Sequence, residues 1–87
     1  MEEQMEKKIG EVTHYYPKPL AAVLKLEKKL ELGDRVHIVG ATTDFEEEVK
    51  SMQIDHQEVE SAKPKDDVAI LVEKRVREGD EVYLVES

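Results

Sequence analysis

Two Gly-Asp pairs, each followed by a segment with apolar residues at alternate positions, constrain the fold of this chain most. Gly33-Asp34 precedes Arg35–Val39, and Gly79-Asp80 precedes Glu81–Val85. Strict alternation places the apolar side chains on one face of a β-strand. Gly is favoured in tight turns for its backbone freedom, and Asp for its local hydrogen bonds. The two segments therefore predict two strands that each begin at a turn.

Two more strands are predicted before the first Gly-Asp pair. Ile9–Tyr16 contains the β-favouring residue types Val, Thr and Tyr, and Pro17 and Pro19 end it because proline cannot donate to a ladder. Ala21–Leu26 has alternating apolar positions and predicts a second strand. A helix over residues 20–32 is the competing interpretation, since that segment contains good helix formers.

In the middle of the chain, the alternating positions of the apolar residues shift by one residue. Thr42–Ile54 predicts a strand whose inward side chains shift by one residue, so we expect a β-bulge or bend near Lys50–Met52. Asp55–Asp67 is polar and predicts a long loop, with a short helical turn over Gln57–Ala62 as an alternative. Val68–Val72 is apolar at every position and predicts the most buried strand.

The chain length of 87 residues indicates one domain. Residues 1–7 are charged and lack periodicity, so we predict an N-terminal tail there and a single β-barrel domain over residues 8–87. Six short strands with turns about ten residues apart favour an all-β fold, a closed six-stranded antiparallel barrel. Closure would also protect the edges of strands this rich in valine.

Composition restricts the function classes. Charged residues make up 39% of the chain, the formal net charge is −8 and Cys is absent. The Glu- and Lys-rich, cysteine-free composition resembles that of proteins from hot environments. The negative charge is concentrated between Asp44 and Glu60, where seven acids accompany one lysine.

We expect a cytoplasmic location, since no apolar run is long enough for a membrane span and no signal peptide is recognised.

Three segments in order resemble a known family. Leu32–Gly40, Val49–Ile54 and Ala62–Ile70 are similar to the second domain of translational GTPases such as elongation factor Tu, and most similar to the small stand-alone proteins called translation elongation factor-like. A related barrel is the C-terminal module of collagenase-like peptidase family enzymes linked to RNA modification. Lys65 stands where the family pattern has Gly, which leaves the geometry of that turn open.

The resemblance implies a six-stranded Greek-key barrel that binds tRNA, rRNA or a ribosome-associated protein and performs no chemistry. No phosphate-binding loop is present, so neither a nucleotide nor another cofactor is expected. We accordingly expect a non-catalytic binding module related to translation. The alternative is an accessory subunit that docks on a basic partner protein through the acidic face over residues 44–60, with Glu46, Glu47 and Glu48 as the partner-binding residues.

Candidate nucleic-acid contacts combine aromatic rings, which can stack on bases, with cations that can meet phosphate. They are His14, Tyr15, Tyr16, Lys18, Lys25, Lys28, Lys29 and Arg35. The competing interpretation gives the two tyrosines packing roles at the barrel mouth and under the proline loop.

No catalytic or metal residue is predicted. His14, His37 and His56 lack the spacings of metal-binding or acid–base motifs. The basic segment Lys74–Arg77 is flanked by Glu73 and Glu78, which predicts a strip of surface salt bridges.

Overall fold

The computed structural model describes residues 5–18 and 20–86, and every helix or strand in these residues is a β-strand. The all-β class is therefore confirmed, and no described helix could cross a membrane. The ten strands are β1 (Met5–Tyr16), β2 (Ala21–Leu26), β3 (Leu30–Glu31), β4 (Arg35–Val39), β5 (Asp44–Glu48), β6 (Met52–Ile54), β7 (Gln57–Glu58), β8 (Ser61–Ala62), β9 (Asp67–Leu71) and β10 (Glu81–Glu86).

Eight strands form one antiparallel sheet in the order β5-β4-β10-β1-β2-β9-β6-β7, and β3 pairs separately with β8. No ladder joins β5 to β7 within the described residues, so the predicted closed six-stranded barrel is not found. The physical reason lies between β5 and β6. Val49 lies outside the sheet and exchanges backbone hydrogen bonds with the Gly33-Asp34 turn. Its carbonyl accepts from the Gly33 N–H at 2.9 Å, and its N–H donates to the Asp34 carbonyl at 2.8 Å.

The sheet nevertheless curves around one core. β1 is its central strand, pairing with β10 and with β2, and its register shifts on both sides. Such shifts increase the local bend and twist of a strand. Val36 and Ile38 of β4, Leu24 of β2, Ile70 of β9 and Met52 of β6 are all 1% exposed or less and belong to one cluster. Each such burial contributes about 1.5–3 kcal/mol.

Several predicted elements are confirmed. β2 spans Ala21–Leu26 as predicted, so the helix alternative is wrong. β4, β9 and β10 lie where strands were expected, although Leu71 in β9 is 48% exposed. The phase slip is present as a break over residues 49–51 rather than as a bulge within one strand.

Other boundaries differ from the sequence analysis. The segment over residues 57–62 contains β7 and β8 instead of a helical turn. β1 begins at Met5, so the strand extends into the segment predicted as a tail. Residues 1–4 of that tail and Pro19 lie outside the described residues.

Three turns share one geometry: Glu31–Asp34, Lys63–Asp66 and Arg77–Asp80. In each, the Asp carboxylate accepts a hydrogen bond from the backbone N–H three residues earlier, at 2.9, 2.9 and 2.8 Å. The Asp N–H donates back to the carbonyl of that same residue, at 3.1, 3.1 and 3.0 Å.

The residue before each Asp has a positive φ, which type II turns require. The values are 90° at Gly33, 76° at Lys65 and 92° at Gly79. The two predicted Gly-Asp turns are therefore confirmed, and the turn with Lys65 in place of Gly has the same geometry. Each turn leads directly into a strand of the main sheet, namely β4, β9 and β10.

Candidate functional site

The outer face of the sheet brings titratable side chains into one row across four strands. Glu46 of β5 is opposite His37 of β4, His37 is opposite Tyr83 of β10, and Tyr83 is opposite Lys8 of β1. His37 points outward because its neighbours Val36 and Ile38 fill the core. Sheet register therefore gathers groups that lie far apart in the sequence.

His37 is held between two carboxylates. Its Nδ1 lies 2.9 Å from Oε1 and 3.1 Å from Oε2 of Glu6, and its Nε2 lies 2.5 Å from Oδ1 of Asp44. A carboxylate only accepts, so both ring nitrogens donate when the imidazole carries two protons. The hydrogen bond to Asp44, followed by that to Glu6, raises the pKa of His37 above its usual value. We call these three residues the His37 cluster.

Ion pairs surround the His37 cluster. Arg35 Nε lies 2.9 Å from Oε1 of Glu46. Lys8 Nζ lies 3.4 Å from Oε2 of Glu81, and the Tyr83 hydroxyl donates to that same oxygen at 3.1 Å. The hydrogen bond with Glu81 is the main cause that raises the pKa of both Lys8 and Tyr83. The cations and acids of this face are thus paired locally.

One set of ligand atoms on this face meets the distance requirement for a metal ion. Glu6, His37 and Glu46 each offer an atom within 4.8 Å of the others. In this structure, however, Glu6 already contacts His37 Nδ1, and Glu46 already contacts Arg35. The hydrogen-bonding groups of these residues are therefore already paired with other protein groups. The expectation that the chain has no metal site stays a prediction.

Sequence spacing could not reveal the His37 cluster, because Glu6 and His37 are 31 residues apart. The available signal was local: an outward histidine on β4 paired with a strand that carries four acids, β5.

The aromatic residues proposed to bind nucleic acid do not form one platform. His14 and Tyr16 lie on the outer face, with ring centroids 4.5 Å apart and planes tilted by 54°. Tyr15 points the other way and packs against the core. This split follows from strand alternation and is consistent with the packing role considered for one tyrosine. Lys18 is exposed just beyond the strand.

The other proposed cations are accompanied by acids. Lys25 lies in register between Glu11 and Asp67 on the neighbouring strands. Lys29 Nζ lies 3.7 Å from Glu31 Oε2, whereas Lys28 is exposed in the same turn. Arg35 is on β4, two strands away from β1, and contacts Glu46. The described residues therefore contain no continuous basic face built from these positions.

The three glutamates proposed for protein docking point to opposite faces of β5. Glu47 faces inward and is 7% exposed, whereas Glu46 and Glu48 face outward. Glu47 Oε1 accepts a hydrogen bond from the backbone N–H of Glu73 at 3.3 Å. Burial raises the pKa of Glu47, and the Glu73 N–H partly opposes this. Glu47 is therefore a core carboxylate rather than part of an acidic surface.

The predicted salt-bridge strip over Lys74–Arg77 does not form. Lys74 Nζ lies 5.8 Å from the centroid of the Phe45 ring. Arg75 and Arg77 line an open groove of about 450 Å³ beside Tyr15. Among residues 5–18 and 20–86, no carboxylate lies within 4.0 Å of either arginine.

The fold is shared with the C-terminal domain of a protein assigned to the U32 peptidases in Geobacillus thermoleovorans. One crystal structure of that domain has a TM-score of 0.84 at 18% identity, over 90% of this chain and 91% of the other. Its selenomethionine variant has a TM-score of 0.83 at 19% identity, over 87% of this chain and 96% of the other.

A sequence relative supports the same relationship. The chain is 45% identical over 80 residues to a protein named as an uncharacterised protease in Methanocaldococcus jannaschii. The matched region is 91% of this chain and 20% of that protein, so the chain spans about a fifth of the length of this relative. No protein-family model matches the chain.

These comparisons correct two predictions. The resemblance to elongation factor Tu domain 2 and to translation elongation factor-like proteins is wrong, because the relatives found are named as peptidases. The translation-related, RNA-binding function that rested on that resemblance is wrong for the same reason. The peptidase C-terminal module, noted above only as a related barrel, is the kind of domain that the structural comparison finds.

Proposed function

We propose that this chain is a non-catalytic domain of the U32 peptidase C-terminal type, which supports a separate peptidase portion. The observation that carries the proposal is the 45% identity with one fifth of the Methanocaldococcus jannaschii protease. The TM-score of 0.84 with an isolated C-terminal domain supports it. Fold likeness alone would not assign a function. A cytoplasmic location is part of the same proposal.

The chemistry of the described side chains supports a non-catalytic role. Peptide hydrolysis needs an activated nucleophile or water and a base placed to take its proton. Both nitrogens of His37 contact carboxylates, and the carboxylate of Glu47 is buried against a backbone N–H. Asp34, Asp66 and Asp80 hold turns. These groups are engaged in maintaining the fold.

A domain exchange tests the proposal. The matched segment of the Methanocaldococcus jannaschii protease would be replaced by this chain, and the chimera compared with the intact parent. We expect the chimera to be monodisperse and to unfold within a few degrees of the parent. A chimera that aggregates or unfolds early, while the parent is folded, would contradict the proposal.

The isolated chain provides the second measurement. We expect no hydrolysis of casein or of a quenched-fluorescence peptide library by the purified chain. Hydrolysis that persists after repeated purification, and that is lost in His37→Gln, would show that the chain is itself catalytic and would overturn that part of the proposal.

A further inference from the structure

An apolar patch lies on the outer face of the sheet, opposite the core. The described residues include four exposed large hydrophobic side chains: Tyr16 at 50%, Leu71 at 48%, and Leu20 and Leu32 at 39% each. Tyr16, Ala21 and Leu71 are opposite one another on β1, β2 and β9. Leu20 lies at the end of this row, since its carbonyl accepts from Val72 N–H at 2.9 Å, and its side chain is exposed. We call Tyr16, Leu20, Ala21 and Leu71 the Tyr16 face.

The next row of the sheet continues the apolar surface. His14 is opposite Val23, and Val23 is opposite Ala69. A groove of about 110 Å³ adjoins this surface at β9, where it is lined by Ala21, Ala69, Ile70 and Leu71 together with Ser51 and Gln53. One row further, Glu11, Lys25 and Asp67 form a charged border. The patch is therefore contiguous and ends at charged residues on this side.

From this arrangement we infer that the Tyr16 face is the surface on which the peptidase portion of a U32-type protein packs. The inference rests on the proposed function. In the Methanocaldococcus jannaschii relative, the matched segment accompanies four fifths of additional chain. Contiguous exposed apolar surface marks protein–protein contacts, and two domains hold a fixed arrangement when the interface between them is hydrophobic.

Residue composition supports a protein partner. Interface centres are enriched in Tyr and Arg and depleted in Glu and Asp. Arg75, Arg77 and Glu78 line the groove beside Tyr15, whose side chain points to the opposite face of β1 from Tyr16, so these charges lie at the end of β1 and not within the Tyr16 face. The acidic excess lies elsewhere, between Asp44 and Glu60. The chemistry that fits is an apolar surface with carboxylates that meet Arg75 and Arg77.

One other mode of contact fits less well. Strand addition at a sheet edge is disfavoured, because edge strand β5 is charged throughout except for Phe45, and edge strand β7 has only two residues.

Hydroxyl-radical footprinting of the intact chimera and of the isolated chain tests the inference, because it reports side-chain exposure. We expect the oxidation rates of Tyr16, Leu20 and Leu71 to fall several-fold in the chimera. Leu32 is the matched control, since it has the same exposed fraction as Leu20 but lies in the first turn. Its rate is expected to stay unchanged.

A pair of substitutions in the chimera gives a second readout. Leu71→Asp is expected to separate the unfolding of this domain from that of the remaining chain, whereas Leu32→Asp is expected to leave one transition. Unchanged oxidation of Tyr16 and Leu20 in a chimera as stable as its parent would overturn the inference and leave the proposed function standing. A chimera that fails to fold beside a folded parent would overturn both.

Discussion

Oδ1 of Asp80 occupies the space that a Cβ atom on Gly40 would need. Asp80 is 5% exposed, and its other oxygen, Oδ2, accepts the Arg77 N–H at 2.8 Å. Gly40 follows β4 and Asp80 precedes β10, the strand that pairs with β4. The contact therefore joins the turn over residues 77–80 to the C-terminal end of β4.

Gly40→Ala should lower the free energy of unfolding by about 1–3 kcal/mol, because the added methyl group must displace a buried carboxylate that holds a turn. Urea titration followed by circular dichroism would measure the change. Ala41→Ser, at the next and exposed position, is the control and should be nearly neutral. A Gly40→Ala protein as stable as the parent would show that Asp80 can move without cost.

Lys65→Gly should raise the free energy of unfolding. Lys65 has a φ of 76° at the position where the two equivalent turns have glycine. The left-handed region costs a non-glycine residue about 1–2 kcal/mol, and the greater freedom of glycine in the unfolded chain offsets about 0.4–1 kcal/mol. A net gain of about 0.5–1 kcal/mol is expected from chemical denaturation.

Lys65→Ala is the matched control, because it removes the same charge and keeps the Cβ atom. It should not stabilise the protein. If alanine gave the same gain as glycine, the effect would come from the charge and not from the backbone.

The local features of the fold were predictable from the sequence. Alternation identified β2, β4 and β10, and the Gly-Asp pairs identified two turns, because both signals depend on residues close together in the chain. The sequence also predicts a turn over residues 63–66 but leaves its geometry open, because a lysine at position 65 does not indicate a positive φ. The break after Glu48 was visible only as a change of apolar phase, which cannot distinguish a bulge from two strands.

The His37 cluster was not predictable, because it depends on the order of strands in space. β10 lies between β4 and β1, so a C-terminal strand separates His37 from Glu6. Single-sequence patterns do not specify that order. The assignment of Glu46, Glu47 and Glu48 to one surface is a different error, because alternation alone places Glu47 on the opposite face from its neighbours.

Glu47→Gln should stabilise the protein at neutral pH. Burial raises the pKa of Glu47 in the folded state, so the folded protein binds this proton more tightly than the unfolded chain does. The stability contribution of Glu47 therefore falls as pH rises from its unfolded value through its folded value. Glutamine carries no charge, and its side-chain oxygen can still accept a hydrogen bond from the Glu73 N–H. The substitution therefore removes the loss of stability that Glu47 causes as pH rises.

Denaturant titrations at several pH values would check the prediction. The advantage of Glu47→Gln should be largest near pH 7 and should vanish below the ordinary glutamate pKa of 4.5, where the parent carboxyl is also neutral. Glu48→Gln, on the exposed side of the same strand, should show no such trend. A destabilised Glu47→Gln protein at pH 7 would indicate that the ionised carboxylate is needed in place.

The His37 cluster should make stability depend on pH above the usual histidine pKa of 6.5. Its hydrogen bonds to Asp44 and Glu6 raise the pKa of His37 above the usual 6.5. The folded state then binds the proton more tightly, so the stabilisation is complete below pH 6.5 and is lost as pH rises through the folded-state pKa. Because the partners are partly exposed, the loss should stay below about 1 kcal/mol.

His37→Gln should flatten this part of the stability profile, measured as the denaturation midpoint between pH 5.5 and 9, and Asp44→Asn should reduce its amplitude. His14→Gln removes a histidine outside the cluster and is the control. High salt should also shrink the effect in the parent, because it screens the exposed carboxylate of Asp44. A profile that keeps its slope in His37→Gln would place the titrating group elsewhere in the chain.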